Sequence, residues 1–321
     1  MRVQVKTPAR LHLGLIDLNG NLGRIFGGLG IGIDKPNIVL EANTQEGLSV
    51  MGEKSELARS LAMRFFEAYK LEPNAHIQIK QTIPEHTGLG SGTQMALAVA
   101  SALAKLNGLN ASEEQLSIVM GRGKRTGVGT AIFARGGFVV DGGRLLKSTE
   151  LDKEKLSPLI FRQAFPEDWR LVVAIPNTYL GLSNHEENEA FEHLEPMSSE
   201  KVGRVCRLIV MKLLPALVDR DIKNFGEALT EIQVTVGENF SSVQGGRYSN
   251  SLIADGIGYM HKQGTYGVGQ SSWGPAFYGL VGNQGEAEKV QLKMQAFLGE
   301  DEGGEVFVAK ANNRGAIIKA S

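Results

Sequence analysis

The chain is short of several things, and each shortage excludes a class of function. It has one cysteine, Cys206, among 321 residues. No internal disulfide can form, so a reducing compartment is expected. Cys206 sits in the apolar-periodic run 205–214, which suits a buried structural thiol better than a nucleophile. Net charge is almost absent, with 34 Lys and Arg against 35 Asp and Glu. That balance gives no reason to expect nucleic acid or an anionic membrane as a partner. No apolar run approaches the roughly 20 residues that span a bilayer. The start, 1–14, is charged and alternating rather than signal-like, and a cytoplasmic location is expected. There is no internal repeat, no low-complexity tract, and no Ser-His-Asp or Cys-His constellation.

Glycine is abundant, at 40 residues, and it clusters in a few tracts. Such clustering suggests backbone shaped for ligands rather than general flexibility. The length favours two domains. Polar, irregular sequence over 147–168 places the boundary there, giving 1–165 and 166–321. Strands are predicted at Arg2–Lys6, Asn37–Ala42 and His76–Gln81, and the glycine tract 14–32 reads as tight turns between short strands. Helices are predicted over 57–70, 92–107 and 112–120. The helix at 92–107 is apolar nearly all round and so should be central. Ser112 with Gln115 three residues on has the form of a capping box. Phe133–Gly143 reads as a strand. The second half alternates in the same way: strands at 170–175, 276–281 and 305–309, and helices near 199–217, 222–239, 250–262 and 286–298. The pattern implies α+β or α/β.

The most informative segment is Pro-Glu-His-Thr-Gly-Leu-Gly-Ser-Gly-Thr, 84–93. Gly88, Gly90 and Gly92 leave backbone amides uncovered, Ser91 and Thr93 add hydroxyls, and a helix follows whose first amides carry partial positive charge. Together these make a phosphate site; the bland alternative is a glycine turn before a core helix. The loop has neither the Lys-Ser/Thr pair of a Walker loop nor the dinucleotide fingerprint.

With Thr7–Gly20 and the tract Tyr266–Leu280, this loop resembles the three ordered motifs of the GHMP small-molecule kinase superfamily, with Gly92 where that family has its last Ser. The resemblance implies an α+β, two-domain fold. Its N-terminal domain contains a left-handed βαβ unit, its C-terminal domain is ferredoxin-like, and the ligand lies between them. Most such kinases carry a catalytic Asp after the second helix. Here that stretch, 121–137, contains no carboxylate and offers Lys124 and Arg125 instead, which either hold a phosphate or form a solvated basic turn.

Within the superfamily the sequence looks most like the β-ribofuranosylaminobenzene 5'-phosphate synthase family. The likeness rests on 7–20, on Arg24 followed by Gly27-Gly28-Leu29-Gly30, on Gly127-Val128-Gly129, on 136–143 and on Gln270-Ser271-Ser272-Trp273-Gly274-Pro275. That family joins phosphoribosyl pyrophosphate to 4-aminobenzoate or 4-hydroxybenzoate with loss of pyrophosphate and carbon dioxide, in methanopterin biosynthesis. The resemblance implies Mg²⁺ as cofactor. It implies a substrate- and phosphate-binding set of Arg10, Arg24, Gly27, Gly28, Gly88, Leu89, Gly90, Ser91, Gly92, Thr93, Gln94, Ser271, Ser272 and Trp273, with Asp17, His12, Lys124 and Arg125 as catalytic candidates.

Several of these have bland alternatives. Asp17 either holds Mg²⁺ or the ribose hydroxyls, or forms a turn before Asn19-Gly20. His12 either faces the cleft or is a core histidine. His86 either donates to phosphate or is exposed. Asp141 either makes a turn or binds metal. Trp273 either stacks on the acceptor ring or packs in the core. Asn184, His185 and Glu186 are candidates for the cleft rim. The alternatives to a synthase are an ATP-dependent kinase of the superfamily and a non-catalytic ligand sensor on the same scaffold. A homodimer is the default expectation.

Overall fold

The computed structural model describes residues 1–146, 155–177, 181, 184–299 and 303–321. The first half runs β1 (Arg2–Lys6), β2 (Ala9–Asp17), β3 (Arg24–Ile33), β4 (Val39–Asn43), β5 (Leu48–Gly52), α1 (Ser55–Tyr69), β6 (Ala75–Gln81), α2 (Ser91–Leu106), α3 (Glu113–Val119), α4 (Val128–Arg135), β7 (Phe138–Asp141), β8 (Arg144–Leu145) and β9 (Leu159–Gln163). The second half runs β10 (Arg170–Pro176), α5 (Asn184–Glu192) and α6 (Ser199–Leu208). A π-turn (Ile209–Leu213) leads into α7 (Leu214–Asp219), followed by α8 (Ile222–Gln244), α9 (Ser251–Lys262), β11 (Gly267–Gln270), β12 (Phe277–Val281), α10 (Gln284–Gly299), β13 (Gly304–Ala309) and β14 (Ile317–Ala320). No described helix is long and apolar enough to cross a membrane.

Three sheets organise these elements. One has the order β14-β1-β4-β6-β5, one β2-β3-β7-β9 with β8 alongside β3, and one β11-β12-β10-β13. β5 and β6 pair in parallel, with α1 as their crossover. β14 pairs antiparallel with β1, so the last residues of the sequence complete the first sheet. The third sheet is wholly antiparallel. Its apolar face (Val172, Ala174, Phe277, Val306) packs against Ile253, Ile257 and Met260 of α9 and Val290, Met294 and Leu298 of α10. α2 is the central helix, with every residue from Gln94 to Ala104 buried. Leu97 and Leu103 are fully buried there, each contributing roughly 1.5–3 kcal/mol. Ser112 and Gln115 close the expected capping box at the start of α3.

Two expectations are corrected. The tract 14–32 is not a set of turns between short strands. Most of its glycines lie within β2 and β3, which pair along nearly their whole length. Gly28, Gly30 and Gly32 share one face of β3 by the period of two, and α4 lies on that face. A Cβ at Gly28 would stand 2.9 Å from Val128, and one at Gly32 3.1 Å from Ile132. Close helix-on-strand packing, not turn geometry, requires these glycines. The second correction concerns 133–143. Phe133 belongs to α4, and the strand begins only at Phe138 after the turn at Gly136 and Gly137. Part of the proposed boundary segment, 147–154, lies outside the described residues. Its later part forms β9, which pairs with β7.

Candidate active site

The three glycine tracts meet at one point. The Arg10 amide donates to the Leu89 carbonyl at 3.0 Å, and Arg10 Nη1 donates to the Gly88 carbonyl at 3.0 Å. Ser271 Oγ donates to that same carbonyl at 2.7 Å and accepts from the His12 amide at 2.9 Å. A Cβ at Gly88 would overlap the Ser271 carbonyl oxygen. Gly88 and Ser271 therefore lock the loop to the C-terminal turn. Gly90, at φ +78, is the N-cap of α2. The first-turn amides after it lack intrahelical acceptors and present the positive end of the helix dipole.

Beside this helix start opens a cleft of about 730 Å³. Of the residues singled out from sequence, Arg10, His12, Thr93, Lys124, Arg125, Ser272 and Trp273 line it. Arg122 and Arg247, which no local sequence pattern marks, also line it. Five cations thus face two carboxylates, Glu187 and Glu192, among the described lining residues. Arg10 and Arg122 both carry an Nε that is buried without a hydrogen-bond partner. Burial lowers the Arg10 pKa to about 10, partly offset by the charge of Glu187. Burial likewise lowers that of Arg122, helped by nearby Arg64. Both remain cationic at neutral pH, at an electrostatic cost that an anion would relieve. They straddle the loop: a Cβ at Gly90 would lie 3.6 Å from Arg10, and one at Gly92 3.4 Å from Arg122.

His12 is buried, and its Nδ1 accepts from the Gly14 amide at 3.4 Å. Burial and, secondarily, the charge of Arg10 push its pKa well below the ordinary value. The imidazole is therefore neutral, with Nε2 as a hydrogen-bond donor.

Part of the cleft lining is aromatic. Trp273 meets Phe240 at 4.9 Å and Phe191 at 5.5 Å between ring centroids, and Phe191 meets Phe26 at 5.5 Å, all edge to face. Arg125 lies over the Phe191 ring at 4.2 Å and pairs with Glu187 at 3.0 Å. Glu187 also accepts from the indole N–H of Trp273 at 2.8 Å.

Other sequence-derived candidates lie elsewhere. Asp17 Oδ1 accepts from the Asn19 and Gly20 amides at 2.7 and 2.8 Å, so it forms the turn. Arg24 donates to the Gly142 and Gly143 carbonyls at 2.8 Å and so clamps the turn after β7. Asp141 is buried, and its two oxygens accept from the Gly127 and Gly143 amides at 3.0 and 2.9 Å. Gly27, at φ +64, would bring a Cβ 3.1 Å from the Asp141 carbonyl. Leu89 is core. Gln94 is fully buried and donates to the Gly129 carbonyl at 3.0 Å, tying α2 to α4. His185 is exposed and pairs with Glu189; the side chain of Asn184 is outside the described residues. The rim function of α5 falls instead to Glu187, Asn188 and Phe191, one turn further along.

Asp141 spends both carboxylate oxygens on backbone amides, and Asp17 spends Oδ1. Among the described residues no group of three or more His, Cys, Asp or Glu is placed to hold an ion.

Comparison with known proteins agrees with this architecture. Residues 56–137 match the GHMP kinases N terminal domain, and residues 213–300 match GHMP kinases C terminal. The chain is 35% identical over 330 residues to a beta-ribofuranosylphenol 5'-phosphate synthase of Methanothermobacter thermautotrophicus, covering 98% of each. It is 34% identical to one of Archaeoglobus fulgidus, covering 99% of each. Mevalonate kinase of L. major in complex with R-mevalonate superposes with a TM-score of 0.71 at 13% identity, over 97% of this chain and 96% of that one. At that identity the likeness is one of fold, and the α+β class read from the sequence is the one observed.

Proposed function

The chain belongs to the beta-ribofuranosylphenol 5'-phosphate synthase family. On that premise we propose that it transfers the 5-phosphoribosyl group of phosphoribosyl pyrophosphate to the ring carbon of 4-hydroxybenzoate that bears the carboxylate. Pyrophosphate and carbon dioxide leave, as a step of methanopterin biosynthesis. The phenolic acceptor, rather than 4-aminobenzoate, follows the relatives' product.

The observation that carries the reading is the meeting of two buried, partnerless arginine Nε groups with a helix start, next to an aromatic wall. The donor's diphosphate takes the seat made by the first amides of α2, Thr93, Arg10 and Arg122, where the charge developing on the leaving group is greatest. Lys124 and Arg247, nearer the cleft mouth, take the 5'-phosphate. The acceptor ring lies against Trp273, Phe191 and Phe240. Its hydroxyl pushes electron density to the para carbon, which attacks the ribosyl C1 as the C1–O bond breaks and its electron pair departs on the diphosphate. The ring carbon–carboxylate bond then breaks, its pair restores aromaticity, and neutral CO₂ leaves into an apolar wall. Such a step needs positioning and charge stabilisation but no protein nucleophile.

Mg²⁺ accompanying the donor would supply charge neutralisation beside Thr93 and the first amides of α2.

The test is incubation with phosphoribosyl pyrophosphate, Mg²⁺ and carboxyl-labelled 4-hydroxybenzoate. Donor-dependent release of labelled CO₂ is expected. ATP consumption with a small alcohol and no CO₂ release would overturn the reading in favour of a kinase.

A further inference from the structure

Glu187 occupies a place that the transfer chemistry above leaves without a role. It lies on α5, and Glu187, Asn188 and Phe191 of that helix all line the cleft. Its carboxylate is pinned twice, by the Trp273 indole N–H at 2.8 Å and by Arg125 at 3.0 Å. Each carboxylate oxygen keeps a second lone pair for a ligand. The carboxylate is thereby fixed at the edge of the Trp273–Phe191 wall, where the acceptor ring is placed.

The other titratable groups facing the cleft are less suited to take a proton there. His12 uses Nδ1 for the Gly14 amide and presents an N–H. Glu192 is exposed. Tyr248 is a donor, and the remainder are the arginines and Lys124.

Resting on the synthase reading, we infer that Glu187 is the catalytic residue that accepts the proton of the acceptor's phenolic hydroxyl and returns it. As the ring carbon bonds to the ribosyl C1 and the diphosphate leaves with the C1–O pair, the O–H proton passes to the Glu187 carboxylate. A cyclohexadienone bearing the carboxylate results. Its carbon–carboxylate bond then breaks, the electron pair restores the aromatic ring as a phenolate, CO₂ leaves, and the phenolate recovers the proton from Glu187. No proton is gained or lost overall. An aniline acceptor differs here. Its nitrogen lone pair gives an iminium that collapses with loss of CO₂ without any N–H being removed. Glu187 is therefore also a specificity determinant for phenol over aniline.

The experiment compares kcat for 4-hydroxybenzoate and 4-aminobenzoate in wild type, Glu187→Gln and Glu187→Asp. Gln retains an acceptor for the Trp273 N–H, and thermal unfolding checks the fold. Glu187→Gln is expected to lower kcat for the phenol about 10²-fold, at least about tenfold more than for the aniline, as general-base removal does. Glu187→Asp should keep the acceptor ratio near that of wild type. In Glu187→Ala, added formate should restore part of the phenol rate. Equal losses with both acceptors, or no loss, overturn this role and leave the synthase reading intact. If wild type uses the phenol alone, failure of formate to rescue overturns it. A wild-type protein that releases CO₂ from neither acceptor overturns the synthase reading itself, and this role with it.

Discussion

Gly90 lies directly beneath Arg10: a Cβ at Gly90 would rest 3.6 Å from the Arg10 Nε, which is buried without a hydrogen-bond partner. The glycine does two things at once. It takes φ +78 so that the chain can enter α2, and it leaves the guanidinium room beside the helix start proposed to hold the donor's diphosphate. Gly90→Val loses both. The left-handed conformation costs a β-branched residue roughly 1–2 kcal/mol, and the side chain crowds Arg10. The expected result is at least about a tenfold rise in KM for phosphoribosyl pyrophosphate, with a smaller change in KM for the aromatic acceptor. Initial-rate kinetics with each substrate varied in turn check it; equal changes in the two constants would contradict the loop assignment.

Arg122 is the companion cation. Its charge is opposed by burial and by Arg64, so in the free protein it is a stability cost, one that the proposed diphosphate would relieve. Arg122→Met removes that cost and the seat together. The variant should unfold at an equal or higher temperature than wild type while binding pyrophosphate more weakly. Calorimetry with pyrophosphate provides the check. Wild type at 100 times its Kd should gain about 2.7 kcal/mol of stability from the ligand, and the variant much less at the same concentration. A variant that is both less stable and equally tight in binding would show that Arg122 serves the fold.

Arg10, His12 and Trp273 were legible in the sequence because each sits within a short motif whose neighbours also carry the site. Arg122 was not, although the stretch holding it was singled out for its missing carboxylate. It gains its place through the turn that ends α3, where its amide donates to the Ser117 carbonyl at 2.8 Å and brings the side chain over Gly92. No local pattern encodes that approach. Glu187 and Phe191 escaped for a similar reason. Their helix is short and polar on most faces, and its meaning lies in Trp273, 86 residues away. The glycines of β3 are a different case. Their spacing of two, at 28, 30 and 32, was readable as one strand face meeting a helix, but glycine density pointed to turns. The capping box of α3 and the all-round apolar α2 were legible because their signals are local.

That strand face makes its own prediction. A Cβ at Gly30 would overlap Val128 of α4. Gly30→Ala should therefore destabilise the protein by about 1–3 kcal/mol, the usual cost of overpacking a core. Val128→Ala placed on top of it should recover part of that loss, because the methyl removed is the one struck. Urea unfolding of the two single variants and the double variant measures the coupling. Purely additive losses would mean that α4 simply moves away.

Asp141 ties this packing to pH. Its carboxyl is buried, and burial raises its pKa from 3.8 to about 6, against the lowering effect of hydrogen bonds led by the amides of Gly143 and Gly127. An acid whose pKa is higher in the folded state binds its proton there more tightly than in the unfolded chain. Between pH 4 and 6 the folded protein thus holds more protons, and stability must fall as pH rises through that window. The penalty is absent below the unfolded pKa and complete above about 6, where it amounts to about 3 kcal/mol. Asp141→Asn cannot ionise, so its stability lacks this fall. The substitution also leaves one of the two amides facing an NH₂ group, at a cost of about 1–3 kcal/mol that does not vary with pH. The difference in unfolding free energy, wild type minus variant, should therefore be largest near pH 4 and shrink by pH 7. A difference that stayed level, or grew with pH, would mean that the amides of Gly127 and Gly143 stabilise the carboxylate more than burial opposes it.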